Sequence, residues 1–304
     1  MGSILDGVTG WTLYAGLMAM LGASAGQLLI VPRAAREVPE AAAPLSRAAS
    51  RLALAGALLL LPAMTLYFVR QLLEFRDPFV PWSEDAELLL TGTDWGRTWL
   101  WGAVASALAA VVFGMVARGV RSAWWVGGAL TLVLAAFPAL TGHASGSDGP
   151  RALLLGADVL HVWAAGGWMG ALALVLYAER RWRSTDHGPE APGSLLPALL
   201  PVFSPLAVAC VGVLVLTGVL GAWVHVPGPS ALFTSRYGLT LLAKLVFVAV
   251  ALGLGFVNWR RLTPGLAGDG GPSALRRAAT FELLVVQAVL IVTALLVRTA
   301  PPMG

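Results

Sequence analysis

The sequence predicts an all-α integral membrane protein, a polytopic bundle of about eight transmembrane helices. Of its 304 residues, 58% are hydrophobic and only 12% are charged, whereas about a quarter of the residues in a typical globular protein carry charge. The apolar residues also form separate runs of about 20 residues, the helix length that crosses roughly 30 Å of hydrocarbon. We therefore expect lipid to surround most of the chain and treat residues 1–304 as a single integral membrane domain.

Eight apolar runs define the predicted spans. The first run has no basic residues ahead of it and no convincing small-residue cleavage site, so we interpret it as a span and not as a signal peptide. The spans are predicted at 10–31, 51–70, 97–117, 122–142, 152–178, 196–225, 238–258 and 275–297.

The charged residues predict the orientation of the bundle. Arginines concentrate in the alternate loops 32–50, 118–121, 179–195 and 259–277, and loops of this kind face the cytoplasm. The acidic loop 71–96 lies on the other side, and an even number of spans places both termini there, outside the cytoplasm. The net charge of +4 comes from these short arginine loops, so the sequence predicts no nucleic-acid partner.

A weak internal echo at an offset of 142 residues relates the third span to the seventh. Trp95, Gly96 and Thr98 correspond to Tyr237, Gly238 and Thr240. The echo is compatible with a four-plus-four repeat of parallel topology, with the first four helices in 1–142 and the second four in 143–304.

Ionisable residues within the spans are the first candidates for a functional site, because they are costly to place in lipid. Asp158 and His161 lie three residues apart in the fifth span, so their side chains share one helix face in its outer half. A carboxylate one turn from an imidazole can orient a metal-ligating histidine or hold its proton.

Two further histidines lie near the outer ends of spans. His143 follows the fourth span within the segment GHASGSDGP, and His225 ends the sixth. A lone histidine at a membrane boundary is more often an interfacial hydrogen-bonding residue than a ligand. We take His143 and His161 as the metal-ligand candidates, because each comes with a neighbouring carboxylate, and add Asp158 as a third.

Lys244 and Glu282 are the other charges predicted within spans. Lys244 lies about six residues from the outer end of the seventh span, at the same depth as Asp158, and the two are predicted either to pair or to act in gating. Glu282 lies about two turns from the cytoplasmic end of the eighth span, where with Asn258 it either forms an inner gate or bonds to neighbouring backbone.

Methionines in the spans add a second type of donor. Thioether sulfur is a soft ligand suited to Cu(I), and imidazole suits copper, zinc and iron. Seven methionines in 304 residues is an ordinary number, and most are expected to serve packing. Met18 and Met64, near the midplane of the first two spans, are the methionines proposed as ligands.

Six stretches in the second half of the chain resemble the CopD family of copper-resistance membrane proteins. The first half resembles the family only in hydropathy and in its acidic outer loop. The matching stretches are GHA at 142–144, DVLHVWAAGGWMGAL at 158–172, VFSPLAVACVGVLVLTGVLGAW at 202–223, TSRYGLTLLAKL at 234–245, NWRRLTP at 258–264 and RTAPP at 298–302.

The resemblance implies a multi-pass protein of the bacterial inner membrane that moves copper, from the periplasm toward the cytoplasm, with a separate periplasmic CopC-like carrier as its copper donor. His143, His161, Trp168, Lys244 and Glu282 fall on the family pattern, Trp168 in a supporting position. His225 lies outside that pattern.

Two other functions remain open from the sequence. A haem-binding redox protein is one, because two histidines on different helices can serve as axial ligands. The other is an assembly factor that relays copper without transporting it. The chain has no nucleophile–base pair, phosphate-binding loop or HExxH motif, so we do not expect an enzyme.

Overall fold

Eight long apolar helices form the protein. The computed structural model describes residues 2–142, 151–185, 193–262, 271–300 and 302, and this part of the chain contains helices and no β-strand. Eight of its helices are long and apolar enough to cross a membrane: Ile4–Glu37, Pro39–Phe75, Asp94–Ala117, Ala123–Thr141, Arg151–Arg183, Leu196–His225, Arg236–Arg260 and Pro272–Leu296. The prediction of an all-α polytopic membrane bundle is confirmed.

Several of the spans consist of more than one helical segment. The first, fifth and seventh each contain a π-helical turn, at Gly26–Ile30, Gly166–Gly170 and Asn258–Leu262. The α-helical segments are α1 (Gly2–Ala25), α2 (Val31–Glu37), α3 (Pro39–Phe75), α4 (Trp82–Gly92), α5 (Asp94–Ala117), α6 (Ala123–Leu134), α7 (Ala136–Thr141), α8 (Arg151–Ala165), α9 (Ala171–Arg183), α10 (Leu196–His225), α11 (Pro229–Thr234), α12 (Arg236–Val257) and α13 (Gly271–Leu296).

The second span, helix α3, is much longer than predicted. The sequence predicted a loop at 32–50, but α2 and the first turns of α3 occupy it. The helix continues because alanine and arginine are good helix formers, whereas the hydropathy pattern that marked the span ends at the first charged residues. Ala41, Leu45 and Ala49 are fully buried there, so this end of α3 packs against protein.

Helix α1 lies at the centre of the bundle. It packs against α3, α6, α9, α13 and the π-helical turn Gly166–Gly170. Helices α10 and α12 lie nearer the edge, where α10 packs mainly on α8 and α12 mainly on α13. Large apolar side chains such as Val215, Leu216 and Val246 are exposed on these edge helices, as expected of surfaces that face lipid.

A small cap covers the end of the bundle predicted to face outward. The acidic loop 71–96 forms α4, in which Asp85 is buried and accepts a hydrogen bond of 3.2 Å from the Asp77 backbone N–H. Below the cap, the buried Arg70 pairs with both Asp6 of α1 and Glu74. These contacts join the cap and the outer ends of α1 and α3.

A buried carboxylate fixes the opposite end. Glu179 of α9 has no exposed surface and accepts hydrogen bonds from the Leu195 N–H at 2.7 Å and from Ser194 Oγ at 3.0 Å. Arg276 of α13 approaches it to 3.5 Å. One side chain therefore connects α9, the start of α10 and α13.

The two halves share a helix start at the offset of the sequence echo. Thr93 caps α5 by accepting from the Gly96 N–H, and Ser235 caps α12 by accepting from the Gly238 N–H, each at 2.9 Å. A short helix precedes each cap, α4 in one half and α11 in the other. These matched caps support the four-plus-four repeat, which stays a prediction.

Candidate metal-binding cavities

The π-helical turn Gly166–Gly170 places two side chains of the site. Gly166 and Gly170 lie directly against α1, and a Cβ at Gly170 would meet the backbone of Gly22 and Met18. π-Helical turns widen the backbone locally and are frequent at functional sites. In this turn Trp168 and Met169 are both buried, and both reach cavities between the helices.

An outer cavity of about 170 Å³ gathers most of the predicted polar residues. Asp158 and His161 of α8 face it from one side, Lys244 of α12 from another, and His225 of α10 near its mouth. The other polar groups on its wall are Tyr14, Thr217, Tyr237 and Thr293. Five separate spans therefore contribute polar side chains to one cavity.

Thr217 of α10 fixes the orientation of His161. The Thr217 hydroxyl donates to the Val213 carbonyl at 2.7 Å, so its oxygen is free to accept from His161 Nδ1, which lies 2.8 Å away. This network assigns the proton to Nδ1. In the neutral ring the lone pair then lies on Nε2, the nitrogen available to a ligand.

His225 has the same arrangement. Its Nδ1 lies 2.9 Å from the Gly221 carbonyl oxygen, which can only accept, so Nδ1 carries a proton. The ring also stacks on Tyr237, with centroids 6.3 Å apart. Nε2 is buried and has no hydrogen-bond partner within the described residues.

Asp158 and Lys244 share the outer cavity without a direct ion pair. Their charged atoms do not approach within 4.0 Å, although the two side chains interact electrostatically and both line the same wall. Asp158 also interacts with His225. This placement is consistent with the equal depth that the sequence predicts for Asp158 and Lys244. Both side chains line the cavity, and they form no ion pair with each other.

A larger and mostly apolar middle cavity lies next to the outer one. It has a volume of about 320 Å³ and shares His161, Lys244 and Tyr14 with the outer cavity. Met18 of α1 and Met169 of the π-helical turn are both on its wall. The middle cavity therefore adds soft sulfur donors beside the imidazole of His161.

An inner cavity of about 290 Å³ adjoins the middle one through Trp168 and Leu252. Its polar centre is Glu282 of α13, which is only 4% exposed. The Glu282 carboxylate accepts a hydrogen bond of 2.9 Å from Asn258 Nδ2 and another from the side chain of Trp168. Trp168 thus connects the middle cavity to the inner carboxylate.

The predicted site residues fall into three groups. Asp158, His161 and Lys244 meet in the outer cavity, Met18 lies in the middle one, and Glu282 and Trp168 meet in the inner one. His143 lies outside the described residues. Met64 is buried in α3 and lines none of these three cavities, while its backbone carbonyl accepts from Trp99 Nε1 at 2.9 Å.

Sequence reasoning missed two residues that line the cavities. His225 was treated as an interfacial residue, although it lies beside Asp158. Met169 was not predicted as a ligand. Its position directly after Trp168, in the glycine-rich segment GGWMG, was the signal in the sequence that could have identified it. Among the described residues, no group of three or more His, Cys, Asp or Glu side chains converges as a preformed metal site.

Comparison with known proteins gives two matches to family models. Residues 7–153 match the model "Copper resistance protein D-like, N-terminal domain", and residues 197–296 match the model "Copper resistance protein D". The first match covers the half in which the sequence analysis found only similar hydropathy. His161 and Trp168 lie between the two matched regions, and Lys244 and Glu282 lie within the second.

Two curated relatives are similar to parts of the chain. Copper resistance protein D of Pseudomonas syringae pv. tomato is 32% identical over 183 residues, 59% of this chain and 57% of the relative. Copper transport protein CutJ of Bacillus subtilis (strain 168) is 32% identical over 122 residues, 40% of this chain and 21% of the relative. No solved structure gives a significant match.

Proposed function

Since this chain belongs to the copper resistance protein D family, we propose that it is a permease that carries copper across the bacterial inner membrane. Copper enters at the outer cavity, where Asp158 and His161 receive it. His143 stays a proposed ligand on the sequence alone. It continues past the thioether of Met18 and leaves beside Glu282. The family is one of copper-resistance membrane proteins and not a known class of enzymes.

The observation that carries this proposal is the succession of three cavities. The outer and middle cavities share His161, the middle and inner cavities share Trp168, and potential copper donors line the outer and middle ones. Imidazole and thioether groups suit copper. A protein that only packed its helices together would not need a buried carboxylate, hydrogen-bonded to Asn258, at the far end of such a series.

The proposed direction is from the periplasm to the cytoplasm. The acidic cap lies at the predicted outer end, and the outer cavity lies toward the same end, where Gly142 and His225 line it. We propose that a periplasmic copper carrier of the CopC type delivers the ion there. No ATP-binding motif is present in the sequence, so a gradient or the relative affinity of carrier and site drives transport.

The first test combines metal analysis and an absorption spectrum on the detergent-purified protein. We expect about one copper per chain and loss of that copper in His161→Ala, because His161 is the imidazole shared by the outer and middle cavities. Cells that carry His161→Ala should accumulate less copper. Wild-type protein without copper, or unchanged accumulation in the variant, contradicts the permease. A Soret band that disappears with His161 identifies a membrane cytochrome instead.

A second test separates transport from a copper relay at the outer face. Glu282→Ala removes the inner carboxylate, which accepts from Asn258 and Trp168, and leaves the outer cavity intact. A permease then loses copper uptake while copper binding by the purified protein persists. A relay keeps its activity in this variant, since it does not use the inner end.

A further inference from the structure

The outer cavity contains a second imidazole, that of the half-buried His225, with one ring nitrogen available to a ligand. The Nδ1 of His225 is occupied by the Gly221 carbonyl at 2.9 Å, and its Nε2 is buried without a partner in the described part of the chain. A hydrogen bond at one ring nitrogen is the usual way in which proteins orient a metal-binding histidine and select the nitrogen that binds. An interfacial histidine would instead use both nitrogens for hydrogen bonds.

His161 shows the same preparation from the opposite wall. Thr217 holds its Nδ1 at 2.8 Å, which leaves Nε2 as the free nitrogen. Thr217, Gly221 and His225 follow one another at intervals of four residues on α10, so one helix face supports both rings. Two imidazoles on α8 and α10 thus line one cavity, each with Nδ1 already bonded.

The charges in the cavity indicate which copper ion the pair binds. Among the described residues that line it, one carries a carboxylate, Asp158, and one carries an ammonium, Lys244, so their formal charges cancel. Two neutral imidazoles add no charge, and a divalent ion would therefore leave twice the uncompensated charge of a monovalent one in a largely apolar bundle. Among the described residues no group of three or more carboxylate, cysteine or histidine side chains could hold a metal ion, whereas Cu(I) is satisfied by two donors.

We infer that His225 and His161 together form a two-imidazole site for Cu(I) in the outer cavity. This inference rests on the proposed copper function and specifies its entry site. His161 also lines the middle cavity, where the thioethers of Met18 and Met169 would offer further donors for the same oxidation state.

The test is an anaerobic Cu(I) titration of the purified full-length protein against a chromophoric Cu(I) chelator, with X-ray absorption to count the ligands. Wild type should bind one Cu(I) with two imidazole ligands. His225→Gln should lose one of them and bind at least tenfold more weakly. His225→Met should restore much of the affinity and replace one imidazole with a sulfur ligand, a change that loss of folding cannot produce. His187→Gln, which alters the histidine in the predicted cytoplasmic loop, is the matched control.

The outcomes distinguish this inference from the proposed function. Wild-type protein that binds no copper contradicts both. Copper bound with unchanged affinity and ligand count in His225→Gln and His225→Met overturns the two-imidazole site and leaves the permease standing. A stoichiometric, paramagnetic Cu(II) centre that persists in the presence of mild reductant overturns the assignment to Cu(I).

Discussion

The contact between α1 and the π-helical turn at Gly170 offers a quantitative test of the fold. A Cβ at Gly170 would lie 2.9 Å from Gly22 Cα and closer still to the Met18 carbonyl oxygen. Both neighbours are backbone atoms, so no flexible side chain can rotate away. Since ordinary Cβ contacts begin at 3.4 Å, Gly170→Ala must push α1 away by at least about 0.5 Å.

The expected cost follows from that displacement. Overpacking of a tight interior typically costs about 1–3 kcal/mol. Because the new Cβ would clash with backbone atoms of α1, we expect a cost at the upper end, a loss of about 3 kcal/mol in the free energy of unfolding. Gly156→Ala is the matched control in the same span, where no atom lies within 4 Å of the new Cβ. There alanine should stabilise by about 0.5–1 kcal/mol, the usual difference between glycine and alanine within a helix.

The assay is the free energy of unfolding in mixed micelles titrated with SDS, with copper uptake measured in cells for both variants. Gly170→Ala should unfold at lower SDS and lose uptake, because the shift of α1 moves Met18 relative to Met169. Gly156→Ala should be at least as stable as wild type and retain uptake. Equal stability of the two variants would show that α1 does not approach the turn as closely as described.

Two further predictions address the middle cavity and the inner end. Met169→Leu should reduce copper uptake severalfold while Met64→Leu, a swap of similar volume outside the three cavities, should leave it unchanged; equal effects in uptake assays argue against a role for the thioether. Glu179→Ala should lower the free energy of unfolding by about 3–5 kcal/mol, because it leaves Arg276 and the Leu195 N–H without their buried partner, and an SDS titration that shows less than 1 kcal/mol of change refutes that account.

Most of the helical architecture could be predicted from hydropathy alone. Every span needs about 20 consecutive apolar residues to cross the lipid, and a run of this kind can be recognised from the local sequence alone. The prediction failed at 32–50 because a helix that leaves the membrane can continue on ordinary helix propensity, which hydropathy does not measure. Pro39, which begins α3, was the local signal for a new helix.

Spacing within one helix predicted part of the site, and two pairs on different helices, Asp158 with Lys244 and Glu282 with Asn258, were also predicted. Asp158 and His161 were found together because a spacing of three residues fixes a common face. The partnership with His225 depends on how α8 packs against α10, which no local pattern records. Met169 was missed for a similar reason: it lies in the π-helical turn Gly166–Gly170 and lines the middle cavity, whereas Met64, chosen for its depth in the membrane, lines none of the three.

The division of polar groups among the three cavities explains how one bundle could select copper. Metal ions that prefer oxygen ligands, such as Mg²⁺, release their water reluctantly, and the middle cavity offers sulfur and imidazole donors with little other polar surface. Such an ion would lose its hydration there and gain nothing comparable. A soft ion exchanges the imidazoles of the outer cavity for the thioethers of Met18 and Met169 with a much smaller loss. In the proposed permease, selection would therefore belong to the apolar middle of the path, and the charged groups at its two ends would govern entry and release.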